Sequence, residues 1–473
     1  MQTSFDDTIV APATVPGAGA ISVLRLSGSG TFAVLDRVVA FRRGTCADFG
    51  GHTLHFGTVS LPDGQPLDDV LVSIFRAPHS YTGEDAAEIS CHASSYIVTQ
   101  LLMLLTSSGA RLAEAGEFTK RAYFHGKMDL AQAESVADLI ASEDAAAHRV
   151  AFNQMRGGFS QELRTLRDQL LEMTALMELE LDFSEEDVEF ADRKKLHALL
   201  DTVYGHVQHL AASFRLGNAI RNGIPVTLAG KANTGKSTLL NALLGDDRAL
   251  VSDIAGTTRD TIEEVVHIGG SRFRFIDTAG IREARGQVEK MGIERSLKKI
   301  AEADIVLGVV DVSEPQDSVK AAIDALCEKV HFDQQQLVIL LNKCDLIACN
   351  KNVIDYNKYV SSIDNKAITF SISAKTGEGL EQLRNWLTEY EKNRITNAAQ
   401  ATLVTNIRHY QALKAAGESL VRVREGLDAG IPTDLVSQDL REAISTLSSI
   451  LGDSPIDAES TLSLIFSRFC IGK

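Results

Sequence analysis

The first 125 residues alternate short apolar runs with polar residues, which is the pattern of half-buried strands. Turn-forming pairs such as Pro16-Gly17 and Asp63-Gly64 separate these runs. The pattern predicts an α+β domain over residues 1–125. Its clearest predicted strands are 8–11, 20–26, 70–75 and 86–91.

From about residue 128 to 216 the apolar positions change to three- and four-residue spacing, and glycine and proline become rare. That spacing places side chains on one face of a helix. The same pattern returns after about residue 396, over 403–427 and 435–451. We therefore predict an all-α domain in two parts, 126–217 and 390–473. Its clearest helix face is formed by Leu163, Leu166, Leu170, Met173 and Met177.

Apolar strands and helical segments alternate between these two helical parts, which predicts a mostly parallel sheet covered on both faces. An α/β domain at 218–389 is therefore predicted to be inserted into the helical domain. Polar stretches near residues 217 and 390 are interpreted as its linkers. The predicted strands are 225–229, 264–268, 272–276, 305–310, 337–341 and 368–372.

Composition narrows the class of protein. The chain has 473 residues, enough for about three domains. Hydrophobic residues make up 44% of it, and no apolar run is long enough to span a membrane. The six cysteines form no CxxC pair and the N-terminus has no secretory signal, so we expect a cytoplasmic protein without a zinc site. The net charge of −16 argues against a broad non-specific nucleic-acid surface, but not against a local basic patch.

A glycine-rich segment follows the predicted strand 225–229, fits the pattern G-x-x-x-x-G-K-[ST] and runs into a predicted helix. In this context backbone N–H groups and the helix N-terminus bind phosphates. Lys236 is expected to reach the β- and γ-phosphates, and the Ser237 hydroxyl to ligate Mg²⁺. The predicted nucleotide contacts of this loop are Asn233, Thr234, Gly235, Lys236, Ser237 and Thr238.

Three further motifs follow predicted strands. Asp277-Thr278-Ala279-Gly280 supplies a carboxylate for the Mg²⁺ water shell and a backbone N–H for the γ-phosphate. Asn342-Lys343-Cys344-Asp345 supplies a carboxylate that accepts from guanine N1–H and its amino group, which adenine does not match. Ser373-Ala374-Lys375 supplies a backbone N–H for guanine O6. Together these motifs predict a GTP-hydrolysing P-loop domain.

Two explanations for stimulated hydrolysis stay open from the residues alone. Arg259 or Arg282 could act as an arginine finger. Alternatively, the Asn233 amide and carbonyls of a later loop could hold a monovalent cation beside the phosphates. That loop is Ser252, Asp253, Ile254, Ala255, Gly256, Thr257 and Thr258.

Two other positions bear on the chemistry of hydrolysis. Thr258 fits a switch threonine that closes onto Mg²⁺. Ile281 stands where many small GTPases have a water-orienting glutamine, so a more distant polar residue is needed. Glu289 is the candidate, although a glutamate at the start of a helix is also common on structural grounds.

Beyond the GTPase motifs, nearly the whole chain resembles the MnmE (TrmE) family of tRNA modification GTPases. The most specific matches are Asp7-Thr8-Ile9-Val10-Ala11, Leu24-Arg25-Leu26-Ser27-Gly28, Ser80-Tyr81-Thr82-Gly83-Glu84-Asp85, Gly116-Glu117-Phe118-Thr119-Lys120-Arg121-Ala122, Lys127-Met128-Asp129-Leu130-Ala131-Gln132-Ala133-Glu134 and the terminal Phe469-Cys470-Ile471-Gly472-Lys473.

The resemblance implies a K⁺-stimulated, Mg²⁺-dependent GTPase that modifies carbon 5 of the wobble uridine, position 34, of certain tRNAs. The added group is aminomethyl or carboxymethylaminomethyl. A 5-formyl- or methylene-tetrahydrofolate on the N-terminal domain supplies the carbon, and a FAD-dependent partner, MnmG, takes part in a heterotetramer. The resemblance also implies a homodimer formed through the N-terminal domain.

By matching positions, the resemblance implies roles for individual residues. Glu289 corresponds to the catalytic glutamate, and Cys470 to a cysteine suspected of taking part in the modification. Ser237 and Thr258 correspond to the Mg²⁺ ligands. The K⁺ site corresponds to Asn233, Ser252, Ile254 and Thr257. The folate-contacting set corresponds to Arg25, Glu88, Lys127 and Lys473.

The chain departs from the family pattern at several positions. Residues 15–20 lack the usual polar residue after Pro-Gly, and Ser252 replaces a common threonine. Ala232 stands where a proline usually precedes the asparagine of the phosphate loop, and residues 90–95 replace a glycine-rich stretch beside the expected folate pocket. The main alternative is a ribosome-assembly GTPase whose flanking domains bind rRNA. That alternative predicts a basic RNA-binding module after the GTPase domain, whereas the sequence there is helical. A GTP-binding scaffold without turnover is a third hypothesis, and the intact catalytic motifs argue against it.

Overall fold

The structure is a computed structural model that describes residues 6–17, 19–182, 193–245, 264–276, 303–330, 332–333, 335–346, 351–363, 366–398, 402–453, 462, 465–467, 469 and 472. The chain divides into two compact units. The first comprises Met1–Ala141, Ala151–Gln208 and Gln411–Lys473. The second comprises Ser142–Val150 and His209–Tyr410.

The first unit contains a seven-stranded sheet in the order β3-β4-β5-β6-β2-β1-β7, in which only the β1–β7 pair is parallel. One face of the sheet packs against helices α1 and α2 around a single apolar core. Helix α3 follows the last strand. The bounds are β1 (Thr8–Pro12), β2 (Ile21–Ser27), α1 (Thr31–Val38), β3 (Val39–Phe41), β4 (Thr53–Ser60), β5 (Pro66–Phe75), β6 (Ala86–His92), α2 (Ser95–Ser107), β7 (Ala110–Leu112) and α3 (Glu117–Phe124).

Alternation along β5 explains why one face of this sheet is covered by α1 and α2 while the other is open at this strand. Val70, Val72 and Ile74 are buried in the core, whereas Leu71 between them is 41% exposed. Successive side chains on a strand point to opposite faces, so the pattern fixes which face meets α1 and α2.

Helices make up the rest of the first unit. The predicted apolar face of α6 is confirmed, since all five residues named for that face are buried. This helix packs along α13, the last helix in the bounds given below. The helix bounds are α4 (Leu130–Ile140), α5 (Ala145–Met155), α6 (Gly158–Asp182), α7 (Arg193–Asn222), α12 (Ile407–Asp428) and α13 (Thr433–Leu451). Three of them, α5, α7 and α12, have residues in both units.

The second unit contains a six-stranded sheet in the order β13-β12-β11-β8-β10-β9, parallel except for β9. Apolar clusters cover both faces, one with α8 and α11 and the other with α9 and α10. The bounds are β8 (Ile224–Ala229), α8 (Lys236–Leu244), β9 (Glu264–Ile268), β10 (Ser271–Ile276), β11 (Ile305–Asp311), α9 (Gln316–Cys327), β12 (Gln336–Asn342), α10 (Lys351–Ile363), β13 (Ile368–Ser371) and α11 (Leu380–Ala398).

These elements confirm the predicted fold class, with an α+β domain, a helical domain and an inserted α/β domain. The predicted linkers near residues 217 and 390 are wrong, because α7 and α11 run through both positions. The helix predicted from 403 begins at Ile407 instead. The preceding backbone lies against Gly217 of α7, where an added Cβ would come within 2.2 Å of the Val404 carbonyl oxygen. Glycine allows this close approach.

Arg215 of α7 and Arg394 of α11 both bind Asp304, just before β11. Their shortest nitrogen–oxygen distances to the carboxylate are 2.5 and 2.7 Å, and the Asp304 side chain is only 2% exposed. A buried carboxylate needs such partners, since water cannot solvate it. The arrangement attaches both helices to the sheet on which the phosphate loop is built.

Three negative findings apply to the described ranges only. Cys46, Cys91, Cys327 and Cys344 form no disulfide with one another. No cluster of metal-ligating His, Cys, Asp or Glu side chains occurs within those ranges. No described helix combines the length and apolar character needed to cross a bilayer.

Candidate functional site

The predicted nucleotide motifs lie at the carboxyl edge of the six-stranded sheet. The phosphate loop follows β8, Asn342 ends β12, and Ser373 comes just after β13. These strands are parallel, so their carboxyl ends meet at one edge, where open α/β sheets bind ligands.

Glycines give the phosphate loop its shape. Gly230 has φ +145° and Gly235 has φ +103°. A Cβ on Gly230 would lie 2.3 Å from the Val309 carbonyl oxygen, and one on Gly235 would lie 2.2 Å from Asn342 Nδ2. Both positions therefore need glycine for conformation and for space. Asn233 also has positive φ, +63°, which asparagine tolerates better than most residues.

Lys236 begins α8 and lies over the loop. Its Nζ donates to the carbonyl oxygens of Gly230 at 2.8 Å and Lys231 at 2.6 Å. Burial lowers the pKa of Lys236. These bonds hold the ammonium at the phosphate loop, and its contact with the β- and γ-phosphates stays a prediction. Ser237 and Thr238 are exposed on the first turn of α8, where backbone N–H groups favour anions.

Asn342 connects the phosphate loop to the base-recognition loop. Its Nδ2 donates to the Thr234 carbonyl at 2.7 Å, and its Oδ1 accepts from the Ala374 N–H at 2.9 Å. The Asn342 side chain is buried. The Ala374 N–H, predicted to donate to guanine O6, therefore donates to Asn342 in this structure, and its bond to the base stays a prediction. A buried N–H requires an acceptor, and Asn342 provides it.

Asp345, the predicted guanine acceptor, is exposed at the same edge. Its Oδ1 accepts from Ser373 Oγ at 2.7 Å, and Ser373 Oγ in turn accepts from the Thr376 N–H at 3.2 Å. These bonds orient the carboxylate. Lys375 is exposed beside them. The structure thus brings Asp345, Ser373 and Asn342 together, as the motifs predicted.

Asp311 at the end of β11 is a site residue that the sequence reasoning missed. Its Oδ2 lies 2.5 Å from Lys343 Nζ. Burial alone would raise the pKa of Asp311, but hydrogen bonds from Lys343 and Ser313 hold it below its usual value. The available signal was an aspartate directly after an apolar strand of the same sheet.

Several predicted nucleotide-site residues lie outside the described residues, so their roles remain predictions. They are Ser252, Asp253, Ile254, Ala255, Gly256, Thr257, Thr258, Asp277, Thr278, Ala279, Gly280 and Glu289, together with Arg259 and Arg282.

A second cluster of predicted residues lies on the open face of the seven-stranded sheet. Arg25 and Glu88 are register partners on β2 and β6. Arg25 Nε and Nη2 donate to Glu88 Oε1 at 3.0 and 2.8 Å. The guanidinium lies 5.5 Å from the centroid of the Tyr81 ring and 5.8 Å from that of Phe118. The two predicted folate residues are therefore in direct contact.

Lys127 approaches the same cluster through the loop that precedes β6. Its Nζ donates to the Pro78 carbonyl at 2.9 Å, and Gly83 lies beside its aliphatic stem. Tyr81 belongs to this loop, and its hydroxyl lies 2.9 Å from Thr119 Oγ1. The loop therefore brings a lysine and an aromatic ring toward Arg25.

The C-terminus packs on this domain. A Cβ on Gly472 would lie 2.1 Å from the Pro12 carbonyl oxygen, and one on Gly116 would lie 3.0 Å from Phe469 Cβ. Pro12 ends β1, the strand that pairs with β2. Cys470 and Lys473 lie outside the described residues. Gly472 lies against the end of β1, whereas Phe469 lies beside Gly116, just before α3.

Arg121 is a buried arginine that forms ion pairs with several elements of this domain. The sequence placed it only within a family motif and predicted no role for it. Its side chain is 0% exposed. It binds Asp7 Oδ1 at 2.6 Å, Glu117 Oε1 at 3.0 Å and Glu84 Oε1 at 3.2 Å. Glu84 is in the Tyr81 loop and Glu117 starts α3, so one cation fixes both elements beside Arg25.

Comparisons with known proteins identify the family of this chain. A family model described as MnmE helical domain matches residues 130–470, and one described as GTP-binding protein TrmE N-terminus matches residues 8–127. The tRNA modification GTPase MnmE of Porphyromonas gingivalis is 46% identical over 99% of this chain and 98% of its own. That of Bacteroides fragilis is 47% identical over 99% of each.

Among solved structures, Era in complex with MgGDPNP and part of 16S ribosomal RNA matches 35% of this chain and 56% of its own at 28% identity, with a TM-score of 0.27. The full-length relatives and the two family models carry the assignment. On this evidence, the chain belongs to the family of tRNA modification GTPases named MnmE.

Proposed function

We propose that this GTP hydrolase works with a FAD-dependent partner of the MnmG type to modify C5 of the wobble uridine of certain tRNAs. Hydrolysis would be stimulated by K⁺ and would depend on Mg²⁺. The observation that carries the GTPase part is the buried Asn342 amide, which joins the phosphate loop to the base loop. The tRNA part rests on the full-length relatives.

Guanine selectivity follows from the position of Asp345. A carboxylate oriented by Ser373 can accept from both guanine N1–H and the amino group. Adenine offers neither donor at these positions, so binding it would leave the carboxylate unpaired. Lys236 supplies positive charge to the phosphates after giving up its loop carbonyls.

The donor set at the phosphate loop fits two cations. The Ser237 hydroxyl is exposed at the first turn of α8, and the Asn233 amide is exposed on the left-handed turn of the loop. Hydroxyl and amide oxygens are ligands that suit hard cations. We assign Mg²⁺ to Ser237 and Thr258, and K⁺ to Asn233, Ser252, Ile254 and Thr257. Bound cations would neutralise negative charge on the phosphates.

A tetrahydrofolate donor is proposed for the N-terminal cluster. A pterin ring offers adjacent N–H donors that a carboxylate such as Glu88 can accept, and its glutamate tail needs cations. Arg25, Lys127 and the C-terminal Lys473 would supply that charge. Arg25 is already held between two aromatic rings, so its position is fixed before a ligand arrives.

Homodimerisation through the N-terminal domain is also proposed. The sheet face that carries Arg25 is not covered by α1 or α2, and Ile21, Leu54 and Leu71 are exposed. Exposed apolar side chains on a wide sheet face favour association.

We expect the protein to act in the cytoplasm with tRNA. Because the chain has a net charge of −16 and tRNA is also negatively charged, a basic partner protein or a local basic patch must then bind the tRNA.

The cation assignment is tested by steady-state GTP hydrolysis in matched K⁺ and Na⁺ buffers, with Asn233→Ala beside the unmodified chain. We expect hydrolysis to be faster in K⁺, and the difference to disappear in the variant. Equal rates in both salts would reject the cation site and return attention to Arg259 or Arg282.

The tRNA assignment is tested by incubating undermodified tRNA with the protein, an MnmG-type partner, GTP and a tetrahydrofolate. Nucleoside mass spectrometry would report the wobble uridine. We expect a mass increase at that position only when both proteins are present. A rRNA-binding GTPase would instead leave the tRNA unchanged and bind rRNA fragments.

A further inference from the structure

We propose that Asp311 is a positioning residue for guanine recognition and that it acts by holding Lys343. The ion pair fixes the lysine beside the base site and keeps its ammonium away from Asp345. This role rests on the GTPase activity and not on tRNA modification or folate binding.

The geometry starts from the sheet. Asp311 ends β11 and is the register partner of Asn342 on β12. Its carboxylate is therefore held one strand away from the residue that joins the two nucleotide loops. Only 9% of the Asp311 side chain is exposed, so its position is set by protein contacts.

The Asp311 carboxylate forms hydrogen bonds with two nearby residues, Lys343 and Ser313. Oδ2 lies 2.5 Å from Lys343 Nζ. Oδ1 accepts from Ser313 Oγ at 2.6 Å and from the Ser313 N–H at 3.0 Å. Three donors on two oxygens orient the carboxylate, and the charge-assisted bond to Lys343 is the shortest of them.

The backbone and the exposure of Lys343 explain why its side chain needs the ion pair with Asp311. Its backbone has φ +68°, a left-handed conformation that is strained for a residue with a long side chain. Strained conformations persist where the surroundings fix them. Its side chain is 31% exposed, so solvent alone would leave the stem free to move. The ion pair with Asp311 removes that freedom before the nucleotide binds.

The Asp311–Lys343 ion pair affects guanine specificity through the position of the Lys343 charge. Asp345 lies two residues after Lys343 and must keep its carboxylate for the donors of guanine. A released Lys343 ammonium would be attracted to that carboxylate and would compete with the base. With Asp311 in place the ammonium is neutralised on β11, and the apolar stem of Lys343 can form a wall of the base site.

The test is the substitution Asp311→Asn. It keeps the shape of the side chain and an oxygen that can accept from Ser313, but it removes the negative charge that pairs with Lys343. We expect the Kd for GDP and the KM for GTP to rise about tenfold, with kcat changed less than about twofold, because the base site is remote from the γ-phosphate. The matched control is Asp333→Asn, which breaks an exposed Asp–Lys pair with Lys366 at 3.5 Å in the same unit and should change neither value.

A double-mutant cycle separates positioning from a merely structural role. If Asp311 acts through Lys343, then Asp311→Asn in a Lys343→Met background should weaken GDP binding less than about twofold further. Additive losses would overturn the proposal, and so would unchanged GDP affinity in the single variant. A fall in kcat with unchanged KM would overturn it as well.

If Asp311→Asn does not fold, Ser313→Ala provides the second variant. Ser313 is exposed, and its removal frees the same carboxylate from one orienting donor. We expect the Kd for GDP to rise about two- to threefold. An unchanged Kd in that variant would overturn the proposal.

Discussion

The phosphate loop is shaped by glycines lying against backbone and a buried amide, whereas the N-terminal cluster is built from charged side chains on an open sheet face. In the loop, an added Cβ on Gly235 would lie 2.2 Å from Asn342. In the cluster, Arg25 and Glu88 are each partly exposed, at 23% and 31% of their side chains. We therefore expect one added carbon to disrupt nucleotide binding at the phosphate loop. At the N-terminal cluster, losing one side chain should only weaken ligand binding.

The two regions also hold charge differently. Lys236 can lose its proton, and burial already lowers its pKa. The N-terminal cluster instead carries an arginine, and guanidinium groups stay charged at any ordinary pH. The nucleotide site should therefore lose affinity at alkaline pH through Lys236.

The largest effect is expected for Gly235→Ala. The new Cβ collides with Asn342 Nδ2 and the residue must keep φ +103°, so we expect GTP affinity to fall by about 100-fold. Isothermal titration with GDP and a GTP analogue would measure it.

Gly270→Ala is the matched control for that loss. Gly270 also has positive φ, +82°, but nothing lies within 4 Å of its added Cβ. It should retain nucleotide affinity. If both variants lose affinity equally, backbone strain and not the collision with Asn342 explains the result, and the proposed close packing is contradicted.

A smaller effect is expected for Arg25→Ala at the N-terminal cluster. Loss of the two bonds to Glu88 and of the cation for the ligand should weaken tetrahydrofolate binding by about 10- to 30-fold. GTP hydrolysis should stay unchanged. Fluorescence titration with 5-formyl-tetrahydrofolate would measure binding.

Arg42→Ala is a suitable control for Arg25. The Arg42 guanidinium also lies over an aromatic ring, 4.0 Å from the Phe56 centroid, but on an exposed part of the same domain. Its removal should leave folate binding intact. Equal losses in both variants would show that general charge, and not the Arg25–Glu88 pair, governs the affinity.

The smallest effect concerns pH. Because the pKa of Lys236 is lowered, its ammonium is lost at lower pH than that of an ordinary lysine, and GTP affinity should fall as pH rises. We expect a two- to threefold larger Kd at about pH 9 than at about pH 7.5. Lys236→Arg should remove this dependence. A variant that retains the full dependence would point to titration of the guanine base instead.

Sequence reasoning worked best where one local pattern determines the structure. The β8–loop–α8 unit follows from an apolar strand and spaced glycines, and β9 was predicted at its observed bounds. It failed where contacts join distant segments. Helix α7 continues past Gly217, where the missing side chain leaves room for the backbone of Val404, a residue far along the chain.

The sites show the same division. Asp345 was predicted from its motif, but the pairing of Ala374 N–H with Asn342 depends on two loops meeting in three dimensions. Arg25 and Glu88 were assigned only through family resemblance, since a charged pair on a strand has no distinctive spacing. Arg121 was missed as an anchor because nothing local marks an arginine as buried.

The most direct test of the account measures GTP hydrolysis and wobble-uridine modification on the same preparations, using the unmodified chain, Arg25→Ala and Asp345→Asn with an MnmG-type partner, tRNA, GTP and tetrahydrofolate. The account predicts both activities in the unmodified chain, normal hydrolysis with little modification in Arg25→Ala, and loss of both in Asp345→Asn. Undiminished modification in Asp345→Asn without GTP hydrolysis, or none in the unmodified chain with every component present, would contradict it.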